Sequence, residues 1–415
     1  MSFAELPLLF ALIGLTFYTV LAGADFGAGL WQLTAGSGVE AERIRDHAHR
    51  AIGPVWEANH VWLIFVLTVV WTAYPIAFGS IASTLTVPLF IAAVGIILRG
   101  TAYALHAGAA GPREVRRIDT VFALSSVLTP FALGTVVGGI ASRRVPVGNA
   151  AGSLLSSWLN PTSILLGVLA VAVAAFLSAA YLAADALRLR DPGLESWFRR
   201  RALGVGIATG ALAFGALAVV HGDAPPLYQG LVDGPGLAGL ICSAVAGVAT
   251  LALVGLRRFG PARYTAPLAV AAVIAGWALA QRPVFLPGLT ITQAAASRDT
   301  VVAVVVAVLA GAVILFPSLA LLFRLVLRGR FDPARPAQPV QPVTPAAPVA
   351  PRASHSRLLA RVAGACLIAG FGLLTVADAG WAHAVGVVCL LAVVALGFLA
   401  ATPAAVAATP PRLPR

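Results

Sequence analysis

Apolar residues fill this chain in long blocks, and the polar positions between them are sparse enough to mark helix ends. Blocks of about 20 apolar residues, the length a helix needs to cross a bilayer, fall near 6–33, 56–78, 80–105, 117–140, 162–187, 202–221, 236–256, 264–281 and 300–327. Two more follow near 358–377 and 380–401. The pattern predicts an all-α, polytopic integral membrane protein of about eleven helices. The stretch 74–80, between the second and third blocks, is the least sharply marked break. Pro130 and Pro317 fall inside spans, where neighbours or water can satisfy the freed carbonyls.

The pattern also divides the chain. A Pro/Ala-rich stretch (FDPARPAQPVQPVTPAAPVAPRASHS) begins at Phe331 and reads as an extended linker over 331–357. It separates a transmembrane domain at 1–330 from an appended two-helix hairpin at 358–402 and a cytoplasmic tail at 403–415. The hairpin carries few polar residues, chiefly Asp378 and His383 beside its connection.

Composition narrows the class. The chain is 59% hydrophobic and 11% charged, with a mean hydropathy of +0.91, which fits a membrane protein and not a soluble one. A net charge of +12 raises the question of nucleic acid. The arginines answer it by sitting in short runs between spans, such as Arg199-Arg200-Arg201, where they anchor and orient the chain. No nucleic-acid partner is expected, and membrane lipid is. With the amino terminus placed outside, most arginines fall in cytoplasmic loops, against Arg143, Arg144, Arg282 and Arg298 on the other face. That asymmetry predicts a plasma-membrane protein with its amino terminus outside and its carboxyl terminus in the cytoplasm. The first block lacks a basic leader and is too long for a signal-peptide core, so it is expected to remain as a span.

Several chemistries find no support. Cys242, Cys366 and Cys389 stand alone in apolar stretches, giving neither a disulfide framework nor a cysteine metal site. No GxxxxGK[ST], HExxH or GxSxG occurs, which removes the usual ATPase, zinc protease and hydrolase readings.

What remains is a set of ionisable residues where they are expensive. The segment GPVWEANHVWL, Gly53 to Leu63, puts Glu57, Asn59 and His60 between Trp56 and Trp62 at the threshold of a span. An acid costs about 2.5–3.5 kcal/mol at the centre of a spanning helix and less near the interface. The plainer alternative is an interfacial helix start, with Pro54 in the first turn and two tryptophans in the aromatic belt. The expected topology gives Glu57 company. Asp25 near the end of the first span, Arg99 near the end of the third and Asp119 at the start of the fourth fall at the same cytoplasmic depth. Such a cluster can bind and pass protons; alternatively, Arg99 forms a structural ion pair with Asp25 or Asp119. His47 and His49 are expected to be solvated residues of the first polar loop. Glu57 and His60 have ExxH spacing, but no second copy exists to make a di-metal site.

These segments carry a resemblance. GPVWEANHVWL, with ADFGAG at 24–29 and LRGTAY at 98–103, resembles subunit II of the cytochrome bd-type quinol oxidases. TPFALGTVVGG at 129–139, LNPTSILLGVLAVAVAAFL at 159–177 and PVFLPGLTITQAAA at 283–296 extend the likeness over roughly residues 1–330. The resemblance implies about nine helices in two four-helix bundles plus a peripheral helix. It implies a haem-bearing subunit I as partner, holding two b haems and haem d and oxidising the quinol, while this chain binds no cofactor directly and has no catalytic residue of its own. A structural quinone or lipid, and small single-helix accessory subunits, are further candidates. The family pattern W-[DE]-x-N-x-x-W falls on Trp56, Glu57, Asn59 and Trp62, with the acid taking up cytoplasmic protons for oxygen reduction to water. The second Asp of the family's DGFDxG falls on Asp25, and the implied proton pathway also takes in Arg99 and Asp119. Three departures stand out: the first Asp of DGFDxG is Ala22 here, the acid after Trp56 is Glu, not the commoner Asp, and the linker and last two helices lie outside the usual pattern. Readings from other classes are a proton-coupled secondary transporter using Asp25 and Glu57, and a membrane scaffold without activity. Against the transporter stand the lack of an internal repeat and the placement of the acids towards one leaflet.

Overall fold

A computed structural model describes residues 2–106, 112–327, 353–376 and 379–401; within its helices some side chains, those of residues 52–58 among them, lie outside the description. The chain divides into two compact units at Asp332/Pro333.

In the first unit a 3₁₀ turn (Phe3–Glu5) leads into α1 (Leu6–Thr34), α2 (Val39–Ala73), α3 (Pro75–Thr84), α4 (Thr86–His106), α5 (Pro112–Ala141) and α6 (Pro161–Arg188). Then come α7 (Pro192–Asp223), α8 (Pro225–Val232), α9 (Leu237–Gly255) and α10 (Phe259–Gln281). A small antiparallel hairpin of β1 (Val284–Leu286) and β2 (Leu289–Thr290), paired Val284 to Thr290 and Leu286 to Leu289, precedes α11 (Ile291–Ala294) and α12 (Arg298–Leu327). The second unit is an antiparallel-packed pair, α13 (Ala353–Val376) and α14 (Gly380–Ala401). Among the described residues eight helices are long and apolar enough to cross a membrane, so the protein is an all-α, multi-pass membrane protein.

Prolines open many of these helices. Pro75, Pro161, Pro192 and Pro225 occupy the first turn, where the missing N–H costs nothing and φ is preset. Asn160 and Asp191 cap α6 and α7, accepting from the Ser163 amide at 2.9 Å and the Leu194 amide at 3.1 Å. The break expected at 74–80 is a single residue, Tyr74, followed by a second step at Leu85. Pro75 cannot extend α2, and buried Tyr74 secures the turn: its hydroxyl donates to the Ala4 carbonyl at 2.6 Å and accepts from the Leu8 amide at 3.0 Å.

α1, α2, α4 and α5 form one bundle, and α6, α7, α9 and α10 a second; α12 runs along α1 and α2. α1 joins the two, since it packs on α2, α5, α6 and α10. Its buried stripe of Ala11, Gly14, Tyr18, Ala22, Asp25, Gly29 and Gln32 steps by three and four, the spacing of one helix face. The glycines of ADFGAG explain how closely it packs. A Cβ on Gly27 would lie 2.0 Å from the Ala174 carbonyl oxygen of α6, and one on Gly29 2.2 Å from the Ser126 hydroxyl of α5.

Residues 39–55 correct one expectation. They form the first turns of α2 instead of a polar loop, and His47 is buried, not solvated. Its Nε2 donates to the Leu182 carbonyl at 3.1 Å, and its ring lies 5.6 Å from that of Phe198. The physical reason is docking: α2 starts early enough to lay its charged first turns against the ends of α6 and α7.

Candidate functional site

The first bundle has a charged centre. Arg99, from α4, is fully buried and reaches across to α1, where it donates to the Asp25 carboxylate and, at 3.0 Å, to the Asp25 backbone carbonyl. Its other terminal nitrogen donates to the Ser126 hydroxyl of α5, which passes its own proton to the Phe122 carbonyl at 2.5 Å. Asn59, from α2, donates from Nδ2 to the second Asp25 oxygen at 2.9 Å. The guanidinium lies between two rings, 4.1 Å from the centroid of Phe122 and 4.9 Å from that of Phe26. Asp25 thus receives donors on both oxygens, and Arg99 is held by ionic, polar and cation–π contacts together.

The arrangement follows from the cost of burial. Both side chains of the pair are 0% exposed, so each charge must be met nearby. The opposite charge and the added hydrogen bonds offset much of the desolvation penalty, as a buried pair needs if it is to persist. Gly29 leaves the room: a side chain there would strike Ser126 and come within 3.2 Å of an Arg99 nitrogen.

Of the sequence-predicted residues, Asp25, Asn59 and Arg99 therefore meet in one hydrogen-bonded group. Trp62 packs beside it, in one buried cluster with Tyr18, Ala22 and Phe26. It is buried, stacked on Phe17 with ring centroids 4.5 Å apart and edge-on to Phe65 at 6.0 Å. Asp119 lies half-buried on α5, seven residues before Ser126 and so about two turns nearer the helix start. Trp56 and Glu57 belong to α2, but their side chains lie outside the described residues.

The sequence reading missed the hydroxyls and rings that complete the group: Ser126, Phe122 and Phe26, with Tyr18 and Thr129 nearby. One signal was available. Tyr18, Asp25 and Gln32 recur every seven residues, one stripe of α1 carrying a polar atom at each step.

Among the described residues no three His, Cys, Asp or Glu side chains cluster as metal ligands. His47 gives its Nε2 to a carbonyl, His49 stacks on Tyr103 at 5.6 Å and His221 meets the Tyr228 ring at 4.7 Å.

The cluster lies within the residues matched by a family model. The family model for cytochrome bd terminal oxidase subunit II matches residues 4–326. The chain belongs to that family. It is similar to cytochrome bd ubiquinol oxidase subunit 2 of Bacillus subtilis (strain 168), 28% identical over 163 residues, covering 38% of this chain and 47% of the relative. It is also similar to a putative cytochrome bd menaquinol oxidase subunit II of the same organism, 24% identical over 238 residues, covering 56% of this chain and 67% of the relative. The chain thus spans about half the length of the first of these relatives and two thirds of the second. Its fold is similar to a chain in the structure of bd oxidase from Geobacillus thermodenitrificans: 27% identity, TM-score 0.65, covering 80% of this chain and 100% of that one. The family match ends at the carboxyl end of α12, so the linker and the α13–α14 unit lie beyond it.

Proposed function

We propose that this protein is the haem-free subunit of a bd-type quinol oxidase. In this reading it supports a haem-bearing subunit I and carries cytoplasmic protons towards the site where that subunit reduces oxygen to water. The observation that carries the reading is the buried Asp25–Arg99–Asn59–Ser126 group inside a chain of this family. Four electrons and four protons are consumed per oxygen molecule at a buried centre, and hydrocarbon conducts none of those protons. A subunit built of apolar helices must supply acids, amides and hydroxyls to move them.

The residues divide the task by position. Glu57 of α2 takes up the proton at the cytoplasmic end, and the amino terminus lies outside. Asn59 and the carboxylate of Asp25 continue the path inward, with Arg99 fixing Asp25 in place. Asp119 adds a second acid on the cytoplasmic half of α5. Haem chemistry and quinol oxidation belong to the partner, which supplies the electrons and the oxygen site.

The test is Glu57→Gln in the oxidase purified from its native membrane. Quinol-driven oxygen uptake should fall several-fold while the haem spectrum and the subunit ratio stay unchanged. Unaltered turnover would remove Glu57 from the path. Purification without any haem-bearing partner would overturn the oxidase reading altogether and leave a scaffold.

A further inference from the structure

Beside the Asp25–Arg99 pair, four buried polar atoms have no hydrogen-bond partner among the described residues: Tyr18 Oη, Asn59 Oδ1, Arg99 Nε and Thr129 Oγ1. The residues that carry them are 7%, 0%, 0% and 0% exposed. An unmet buried polar group costs about 1–3 kcal/mol, so four in one bundle would consume much of a domain's net stability. Burial also keeps them from any side chain of a partner subunit.

Their positions bring them to one place. Asn59 and Arg99 are the two side chains that hold Asp25. Thr129 follows Ser126 by one turn of α5, and Gly95 precedes Arg99 by one turn of α4. A Cβ on Gly95 would come within 2.3 Å of the Thr129 hydroxyl, so that hydroxyl abuts α4 one turn from the arginine. Tyr18 shares the buried stripe of α1 with Asp25, seven residues away, and lies within electrostatic reach of both Asp25 and Arg99. Both Tyr18 and Thr129 lie on the same side of the ion pair, towards the middle of the membrane.

The chemistry of the atoms names what they bind. Arg99 Nε can only donate, Asn59 Oδ1 can only accept, and the two hydroxyls do either. Turning the Asn59 amide over would set its oxygen against the Asp25 carboxylate, so the mismatch is not a question of orientation. A ligand that accepts from one atom, donates to the next and fits between helices in contact is water. Buried waters typically make about three hydrogen bonds to such groups.

The geometry points to a cluster of internal waters held by Tyr18, Asn59, Arg99 and Thr129, which extends the proton path from Asp25 towards the membrane interior. Tyr18 is its positioning residue at the inner end. The relay role rests on the proton-conducting reading above, whereas the presence of the waters does not.

X-ray hydroxyl-radical labelling of the purified oxidase, read by mass spectrometry, tests the waters directly, because radicals form from water beside the side chain. Tyr74 is the control: it too is buried, at 0% exposure against 7% for Tyr18, and its hydroxyl is engaged by Ala4 and Leu8. Tyr18 should be oxidised at doses that leave Tyr74 intact. Equal protection of the two would overturn the cluster, whatever the enzyme's activity. The relay is tested by Tyr18→Phe and Thr129→Val, which delete one hydroxyl each and keep the volume. Each should lower turnover severalfold and enlarge the solvent isotope effect, with haem content and quinol KM unchanged. Unchanged turnover in both, with Glu57→Gln still impaired, would overturn the relay and leave the proposed function standing. If Glu57→Gln also turns over normally, proton uptake at Glu57 falls, and the labelling result still decides whether the waters are present.

Discussion

The two bundles of the first unit solve the same burial problem in opposite ways. The bundle of α1, α2, α4 and α5 encloses charge: Asp25 and Arg99 at its centre, with Asn59, Ser125, Ser126, Thr129 and Thr135 also buried. The bundle of α6, α7, α9 and α10 is held by close backbone contact instead. A Cβ on Gly239 of α9 would lie 2.5 Å from the Cα of Gly276 on α10, and one on Gly230 of α8 2.4 Å from the Ala280 carbonyl oxygen. The polar contacts between α9 and α10 are short hydroxyl bonds, Ser243 to the Ala269 carbonyl at 2.8 Å and Thr250 to Thr265 at 2.8 Å. Inside a bilayer, helix association draws on close packing of small residues and on interhelical hydrogen bonds. The α9–α10 contact uses these alone; the buried acid of the second bundle, Glu195 near the start of α7, is paired at 3.3 Å with Arg199 and with Arg257, both of which reach solvent. The first bundle carries a desolvated ion pair, which packing alone does not require, and this asymmetry argues that its charges are kept for chemistry.

The sharpest way to break the comparison is to unbalance the pair. Arg99→Leu leaves Asp25 buried without its counter-charge, which costs about 3–5 kcal/mol. Thermal unfolding in detergent should show a large loss of stability, and less folded protein should reach the membrane. Adding Asp25→Leu should restore much of that stability, because replacing a whole buried pair by apolar residues is often neutral or favourable. It should not restore oxygen uptake. A double variant as unstable as Arg99→Leu alone would show that the pair is needed for the fold.

The α9–α10 contact of the second bundle should respond to volume. Gly239→Leu drives a side chain into the Gly276 backbone and should cost about 1–3 kcal/mol through overpacking. Gly247, on the same helix, meets nothing within 4 Å. Gly247→Leu should therefore leave the melting temperature unchanged or raise it, since leucine is the better helix former. Equal damage from both would mean that helix packing at Gly239 is looser than the backbone distances imply.

The contrast also explains what could be read from the chain. Spans were legible because each needs an unbroken run of apolar residues, and the Tyr74 break because Pro75 forbids continuation. Asp25 and Arg99 stood out because charges inside such runs are rare. Tyr18 and Thr129 did not, since one hydroxyl in an apolar run is ordinary and only the surrounding helices decide whether it finds a partner. The burial of His47 was hidden for a related reason. The segment VEAERIRDHAHR looks solvated by composition, and only docking against α6 and α7 covers its inner face.

A smaller effect is expected where the two bundles are tied at the start of α7. Arg43 of α2 donates to Asp191 at 2.7 Å, and Asp191 in turn caps α7. The Leu194 amide, and after it the Arg43 guanidinium, hold the Asp191 carboxyl below the usual carboxylate range against a modest opposing effect of burial. A carboxyl lowered on folding contributes stability that is complete above its unfolded value and is lost as pH falls through its folded one. Detergent-solubilised protein should therefore lose this contribution on acidification below the ordinary carboxylate range, and Asp191→Ala should already lack it at neutral pH. The substitution removes a helix cap and should cost about 1 kcal/mol, less than either core variant. Asp191→Asn keeps the cap and loses the charge, so it should fall between the two and show a weaker acid dependence. Salt should narrow the difference between wild type and Asn, because the Arg43 pair is exposed enough to be screened. If the Asn and Ala variants melt alike, the stabilisation comes from the charge on Arg43 and not from the cap, and the tie joins the bundles by electrostatics alone.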